Sequence, residues 1–143
     1  SFSVIIPDTV NTIYPKAFYY NTKITKVVLG DEVKNIGNLA FIGCSKLTTI
    51  TFNEKLESIG QSAFKDCDLT SIILPETVKS LGDLCFAYNK SLDYCYIGPL
   101  CKEFGKDIFF ETSSSVCIGT TSENIEVLEE ITVLKEYQKR IED

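Results

Sequence analysis

The sequence predicts an α/β solenoid, a stack of short parallel strands joined by short helical (α or 3₁₀) returns and capped by a C-terminal α-helix. Three observations predict it. The chain restates itself about every 23 residues; apolar alternation followed by a Pro, Gly or Asn recurs at a fixed place in each unit; and one column of the repeat is an unbroken series of Phe. "ILPETVKSLGDLCF" (73–86), "VLGDEVKNIGNLAF" (28–41) and "TFNEKLESIGQSAF" (51–64) are one pattern in different residues.

Units begin at Ser1, Ile24, Leu47, Leu69 and Leu92, with lengths of 23, 23, 22 and 23. The strand comes first. Its inward positions are Val4, Val27, Ile50, Ile72 and Cys95, then Ile6, Leu29, Phe52, Leu74 and Ile97. Such alternation, as in "ITKVVLG" and "LTSIILP", marks a short strand with one buried face. Pro7, Gly30, Asn53, Pro75 and Gly98 end it, because these residues fix φ or tolerate a positive φ and resist continued pairing.

The second half of each unit carries Val10, Val33, Leu56, Val78 and Cys101, then Ile13, Ile36, Ile59, Leu81 and Phe104. Gly37, Gly60, Gly82 and Gly105 follow, with Tyr14 the exception; Ala17, Ala40, Ala63, Cys85 and Ile108 then precede Phe18, Phe41, Phe64, Phe86 and Phe109. "IGNLAFIGC" spaces its apolar residues 4, 1 and 3 apart, which is helical phasing over two turns. One unit cannot bury both faces alone, so units stack and their strands form a parallel ladder about 4.8 Å apart. Burying each Phe is worth roughly 1.5–3 kcal/mol, which makes that column the largest expected contributor to the core.

The C-terminal end leaves the pattern. "SVCIG" (115–119) echoes "CYIGP" and reads as a sixth strand, after which "TTSENIEVLEEITVLKEYQKRIED" drops the repeat. Thr120, Thr121 or Ser122 suits an N-cap, Glu123 and Glu126 the positive end of a helix, and Lys139 and Arg140 its negative end. Val127, Ile131, Leu134 and Ile141 share one stripe. The expected organisation is therefore residues 1–121 as repeats, about five plus a final strand, and 122–143 as a helix covering the end of the stack. The alternative use of that helix, with Tyr137, is pairing with a second copy. At the other end "SFSVIIP" enters directly as a strand. The chain begins at Ser1 without Met, so an excised or processed piece is expected, with upstream repeats covering that edge or the edge itself exposed to association.

Composition excludes much chemistry. There is no His, Met or Trp among the 143 residues, which removes the commonest general base, the commonest transition-metal ligand and every Ser-His or Cys-His pair. The net charge is −6, with seven acids against three bases in 122–143 and thirteen against eleven in 1–121, so neither part offers the field that nucleic acid requires. No segment approaches the roughly 20 apolar residues of a membrane span.

The pattern "LTxIxLPxxVxxIGxxAFxxC" resembles the BspA-like leucine-rich repeats, found in many copies in surface proteins of certain bacteria and parasitic protists. "LTTITFNEKLESIGQSAFKDC" (47–67) matches it almost throughout and "LTSIILPETVKSLGDLCFAYN" (69–89) nearly so. The resemblance covers residues 1 to about 112. It implies a curved, right-handed leucine-rich-repeat solenoid used for binding and adhesion, with no shared active site to carry over. It also implies core positions for Cys44 and Cys67, which occupy one place in the repeat.

The candidate site is the set of outward strand positions on the expected concave face. One column reads Ser3, Lys26, Thr49, Ser71, Tyr94 and Ser115; the next reads Ile5, Val28, Thr51, Ile73, Tyr96 and then Cys117. These are light in charge and rich in β-branched and aromatic residues. Lys26, Val28, Thr49, Thr51, Ser71, Ile73, Tyr94 and Tyr96 are accordingly the candidate ligand-binding residues, the two tyrosines as anchors; flat parallel ladders also favour such residues for their own sake. Asp8, Asp31, Glu54 and Glu76 each follow the strand-ending residue and would stand in a row, but turn acids with Lys34 and Lys79 three residues on explain them without calcium. No CxxC occurs, so zinc is not expected. Cys44 and Cys67 read as reduced core thiols, with a bridge among Cys95, Cys101 and Cys117 the lesser alternative. "NKS" (89–91) has the form of a glycosylation sequon on the return loop.

The expected function is non-enzymatic: a protein-binding module, used for adhesion to host or matrix proteins in the surface or secreted setting that the resemblance implies. No catalytic residue, metal or cofactor is expected, no nucleic acid and no membrane insertion within this chain. The alternative is an architectural or oligomerisation segment of a larger cytoplasmic repeat protein, joined through its N-terminal edge or C-terminal helix.

Overall fold

In a computed structural model, residues 2–113, 116–120 and 138–141 are described, the last four by their backbone alone. Every strand in it pairs in parallel with an equivalent strand about one unit away. Each of the first five coils opens with a longer strand: β1 (Phe2–Ile5), β3 (Ile24–Val28), β5 (Thr49–Thr51), β7 (Ser71–Ile73) and β9 (Tyr94–Ile97). Later in the same coils come two-residue strands: β2 (Thr12–Ile13), β4 (Asn35–Ile36), β6 (Ser58–Ile59), β8 (Ser80–Leu81) and β10 (Glu103–Phe104). A sixth coil begins with β11 (Cys117–Thr120), and β12 (Gln138–Ile141) lies beyond it. The expected stack of parallel strands is the architecture of the chain.

The columns become spines because the registers follow the repeat, apart from a shift between Phe2 and Ser3 at the start of β1. Val4 pairs with Val27 and Val27 with Ile50; Ile72 pairs with Cys95 and Cys95 with Ile118. Phe41, Phe64, Phe86 and Phe109 are fully buried, and Phe18 is half-buried at the first coil. The rings stack one on the next. Centroids lie 5.0 Å apart for Phe18–Phe41 and 5.1 Å for Phe41–Phe64, then 5.9 Å for Phe64–Phe86 and 6.1 Å for Phe86–Phe109. Offset stacking adds to what burial alone supplies.

The returns are not helical. Inward spacing suggested a helix, but the backbone reaches the same inward positions through successive tight turns around the two-residue strands. Leu39, Ser62 and Leu84 hold φ of 62°, 54° and 58°, and Tyr20, Asp66 and Tyr88 hold 52°, 59° and 61°. A left-handed residue in each turn breaks any helix and costs about 1–2 kcal/mol. Alternate amides then bond locally and across coils: Phe41 N–H donates to Ala63 O at 2.7 Å and Gly43 N–H to Lys65 O at 2.9 Å, whereas Cys44 N–H donates to Phe41 O at 3.2 Å. The cross-coil bonds offset the left-handed strain and satisfy a backbone that a helix would have satisfied internally.

The C-terminal helix is corrected as well. Gln138–Ile141 run as β12, parallel to β11 with Cys117 opposite Gln138 and Thr120 opposite Ile141. The free edge of β11 offers a row of backbone partners, and pairing there outweighs the modest helix-end charge effects read into Lys139 and Arg140. Residues 121–137, which hold the rest of the expected helix and its stripe, lie outside the described residues. The sixth strand is also shifted: it starts at Cys117, not Ser115, and Cys117 pairs with Tyr94 instead of following Tyr96. The echo of "IG" suggested a 21-residue step, but the pairing keeps the 23-residue period.

One junction departs from regular stacking. The two-residue strands form a continuous ladder, β2-β4-β6-β8-β10, but the longer strands divide into β1-β3-β5 and β7-β9-β11-β12. No ladder joins β5 to β7. The coil ending at this junction is the 22-residue one, shortened between Cys67 and Leu69, and it alone has Phe at the position of Ile6, Leu29, Leu74 and Ile97. Phe52 meets the edge of Phe64 at 6.3 Å and 77°. From Phe64 onward the stacked rings also tilt, from 6–7° to 25–26°.

Candidate functional site: the outward strand face

Strand alternation sends every second residue away from the core. The pairing sets Ser3, Lys26 and Thr49 side by side, and Ser71 beside Tyr94; it likewise sets Ile5, Val28 and Thr51 together, and Ile73 beside Tyr96. The eight candidate residues thus fall into two outward sets, Lys26, Val28, Thr49 and Thr51 on one sheet and Ser71, Ile73, Tyr94 and Tyr96 on the other. Lys26, Thr49, Thr51, Ser71 and Ile73 are exposed, while Val28, Tyr94 and Tyr96 are half-buried. Ile73 is 58% exposed, so a large aliphatic side chain stands in solvent in the middle of the face. Ser115 lies outside the described residues.

The tyrosines are held, not loose. Tyr94 lies over Gly119 of β11, where any added Cβ would meet its hydroxyl and ring. Tyr96 donates from its hydroxyl to Glu76 Oε1 at 2.6 Å, a charge-assisted bond that fixes both side chains. Fixed rings bind partners at a lower ordering cost than mobile ones.

Two grooves flank Ile73. One, of about 380 Å³, runs along the open junction between β5 and β7 and is bordered by Thr49, Thr51, Phe52, Thr70, Ser71 and Ile73. The other, of about 320 Å³, lies between Ile73 and Tyr96, with Pro75 and Leu74 beneath and Glu54 and Glu76 at its rim. Four predicted residues thus line the first groove, and two line the second. Sequence reasoning missed Phe52, Thr70, Pro75 and the role of Glu76; the 22-residue spacing and the lone Phe in an aliphatic column were the available signals.

The remaining candidates resolve into structure. In the carboxylate row, Asp8 Oδ1 accepts the Asp31 backbone N–H at 2.9 Å, and Glu76 is engaged by Tyr96. Among the described residues, no three His, Cys, Asp or Glu gather as metal ligands. Lys79 pairs with Glu57 of the coil before it at 3.2 Å, not with Glu76; Lys55 likewise bonds Glu32 at 2.9 Å. Both pairs are exposed and contribute little.

Cys44 and Cys67 are buried, and each Sγ donates to the carbonyl of the Phe one coil earlier: Cys44 to Phe18 O at 3.2 Å and Cys67 to Phe41 O at 3.1 Å. The bond to Cys44 and burial push the Cys67 thiol well up. Burial pushes Cys85 and Cys95 up too, and Cys101 to about 12, so none of these is a nucleophile near neutral pH. Asn89 takes the same place as Cys67 one coil later. It is fully buried; Nδ2 donates to Phe64 O at 2.8 Å and Phe86 O at 2.9 Å, and Oδ1 accepts from Leu69 N–H at 3.0 Å. Its amide has no room for a glycan, so the sequon is a structural asparagine.

The family model for the BspA type leucine rich repeat region matches residues 3–137, in six copies. Among solved structures, the Treponema pallidum leucine rich repeat protein is similar at a TM-score of 0.77 and 27% identity, covering 82% of this chain and 57% of its own. A leucine rich cell surface protein of Faecalibacterium prausnitzii gives 0.81 and 25%, covering 92% and 35%. The pneumococcal vaccine antigen PcpA gives 0.76 and 22%, covering 100% and 42%, and shows the fold alone. The chain thus spans between about a third and somewhat over half of the length of these three proteins. No curated protein matches in sequence. With its repeat, its registers and its stacked Phe column in agreement, the chain belongs to the BspA type leucine rich repeat family.

Proposed function

We propose that the outward strand face is a protein-binding surface and that the chain acts without catalysis, as part of an adhesive surface protein. One observation carries this: hydroxyl and aliphatic residues are spread over the outward sides of two parallel sheets, with an exposed Ile73 among the lining of two grooves. Interfaces need an apolar centre with polar surroundings and small ordering costs, and this face supplies both. The surface setting is supported by similarity to a Faecalibacterium prausnitzii protein described as a cell surface protein. Host or matrix proteins are the partner class this reading favours.

The test is surface plasmon resonance of the purified chain against a panel of extracellular-matrix and serum proteins, with a variant carrying Lys26→Glu and Val28→Asp and another carrying Thr49→Arg and Ile73→Asp. A bound panel member should lose at least tenfold in affinity to one of them. Binding undiminished by both would sink the face as the site, and biotinylation of intact cells that leaves the protein unlabelled would sink the surface setting.

A further inference from the structure

We infer that the open junction between β5 and β7 takes an extended peptide strand bearing a lysine or arginine. This rests on the proposed protein-binding face and names the chemistry of its occupant.

Backbone first. At the β3/β5 boundary Leu29 N–H donates to Thr51 O at 3.0 Å, and at the β7/β9 boundary Leu74 N–H donates to Tyr96 O at 3.3 Å. The equivalent pair at the junction is Phe52 N–H with Ile73 O, and β5 and β7 belong to different sheets there. The junction therefore has two facing strand edges, and the groove of about 380 Å³ lies along them. An extended chain is the ligand whose own amides match such edges at every second residue. The opening is short: Asp68 N–H donates to Leu47 O at 3.0 Å before it, Thr77 Oγ1 donates to Leu56 O at 2.7 Å after it, and β6 and β8 remain paired on the other ladder. The two coils are thus joined around the opening, which is confined to β5 and β7.

Charge selects the side chain. The adjoining groove has apolar walls from Ile73, Leu74, Pro75 and Tyr96, with Glu54 and Glu76 at the rim. That combination suits a long aliphatic stem ending in a cation: the stem lies against Ile73 and Pro75, and the charged end meets the two carboxylates. The Tyr96 hydroxyl already holds Glu76 in place at 2.6 Å. Thr51 and Ser71, exposed on either side of the junction, suit the polar alternate residues of the same strand.

A positional-scanning array of immobilised hexapeptides, probed with the labelled chain, tests this. Lys and Arg should be enriched at least fivefold over Asp and Glu at one position, and backbone N-methylation of the best peptide should lower its affinity at least tenfold. Glu54→Gln combined with Glu76→Gln should erase the Lys/Arg preference while the fold, read by circular dichroism, is unchanged. No Lys/Arg enrichment, or enrichment that survives the double variant, overturns the inference. The face reading is judged separately: a panel protein lost on Lys26→Glu/Val28→Asp but untouched by Glu54→Gln/Glu76→Gln keeps the face and removes the junction, whereas binding untouched by all variants removes both.

Discussion

Asn89→Ala is the most informative single substitution for the core. Asn89 is fully buried, and its side chain satisfies three backbone groups from two coils: the carbonyls of Phe64 and Phe86 and the amide of Leu69. Leaving a buried backbone group without its partner costs about 1–3 kcal/mol each. Allowing for one group recovering a partner by relaxation, the expected loss is about 3–5 kcal/mol. Asn89→Cys should recover about 1 kcal/mol of it, because Cys67 one coil earlier makes the equivalent Sγ bond to Phe41 O. Urea unfolding followed by far-ultraviolet circular dichroism measures this. With a slope of about 2 kcal/mol/M, the midpoint should fall by about 2 M for Ala and less for Cys, at an unchanged slope. A fall below about 0.5 M for Asn89→Ala, or a larger fall for Cys than for Ala, would refute the argument that this column ties the coils together.

Other outcomes follow from the same geometry. Gly60→Ala should cost about 1–3 kcal/mol, because its Cβ would lie 2.7 Å from the Asn38 backbone nitrogen and 2.8 Å from Gly37 C, and thermal melting will read it. Phe64→Ala should cost about 3–5 kcal/mol and half-buried Phe18→Ala distinctly less in the same melts. Stability should fall at alkaline pH. Burial raises Cys85, Cys95 and Cys101 above the usual thiol value of 9.0, Cys101 to about 12. Below pH 9 both states keep these protons; above it the unfolded chain loses protons that the folded chain retains, so stability drops as pH rises toward 12, by at most about 1.4 kcal/mol per pH unit per thiol. Urea midpoints at pH 7, 9 and 10.5 under reductant check this, and Cys101→Ala should flatten the decline.

The stack and its columns were legible because side-chain identity at a fixed interval reports directly on translation along one axis. Val4, Val27 and Ile50 could be aligned by eye, and the pairing aligns them likewise. The returns were not legible. Inward spacing records only which side chains face the core, and the positive φ at Leu39, Ser62 and Leu84 falls on residue types that ordinarily avoid it. Cross-coil bonds impose that conformation, and they have no local signature. Gln138–Ile141 misled for a similar reason: the charges of Lys139 and Arg140 suit a helix end, but the edge of β11 decides the pairing. The outward columns of the site could be listed from alternation alone. The gap between β5 and β7 could not, since it is a property of backbone separation; a missing residue before Leu69 was its trace.

The alternation of local and cross-coil amide bonds in the returns constrains how such a chain can change in length. Adding or removing a whole turn between equivalent positions leaves every donor facing the same acceptor and every ring above its neighbour. A coil one residue shorter disturbs the stack only locally: the 22-residue coil lacks the β5–β7 pairing, yet the two-residue ladder and the Phe column continue through it. Growth and shortening by whole windings therefore keep both ladders, whereas a change of one residue costs the pairing of one strand.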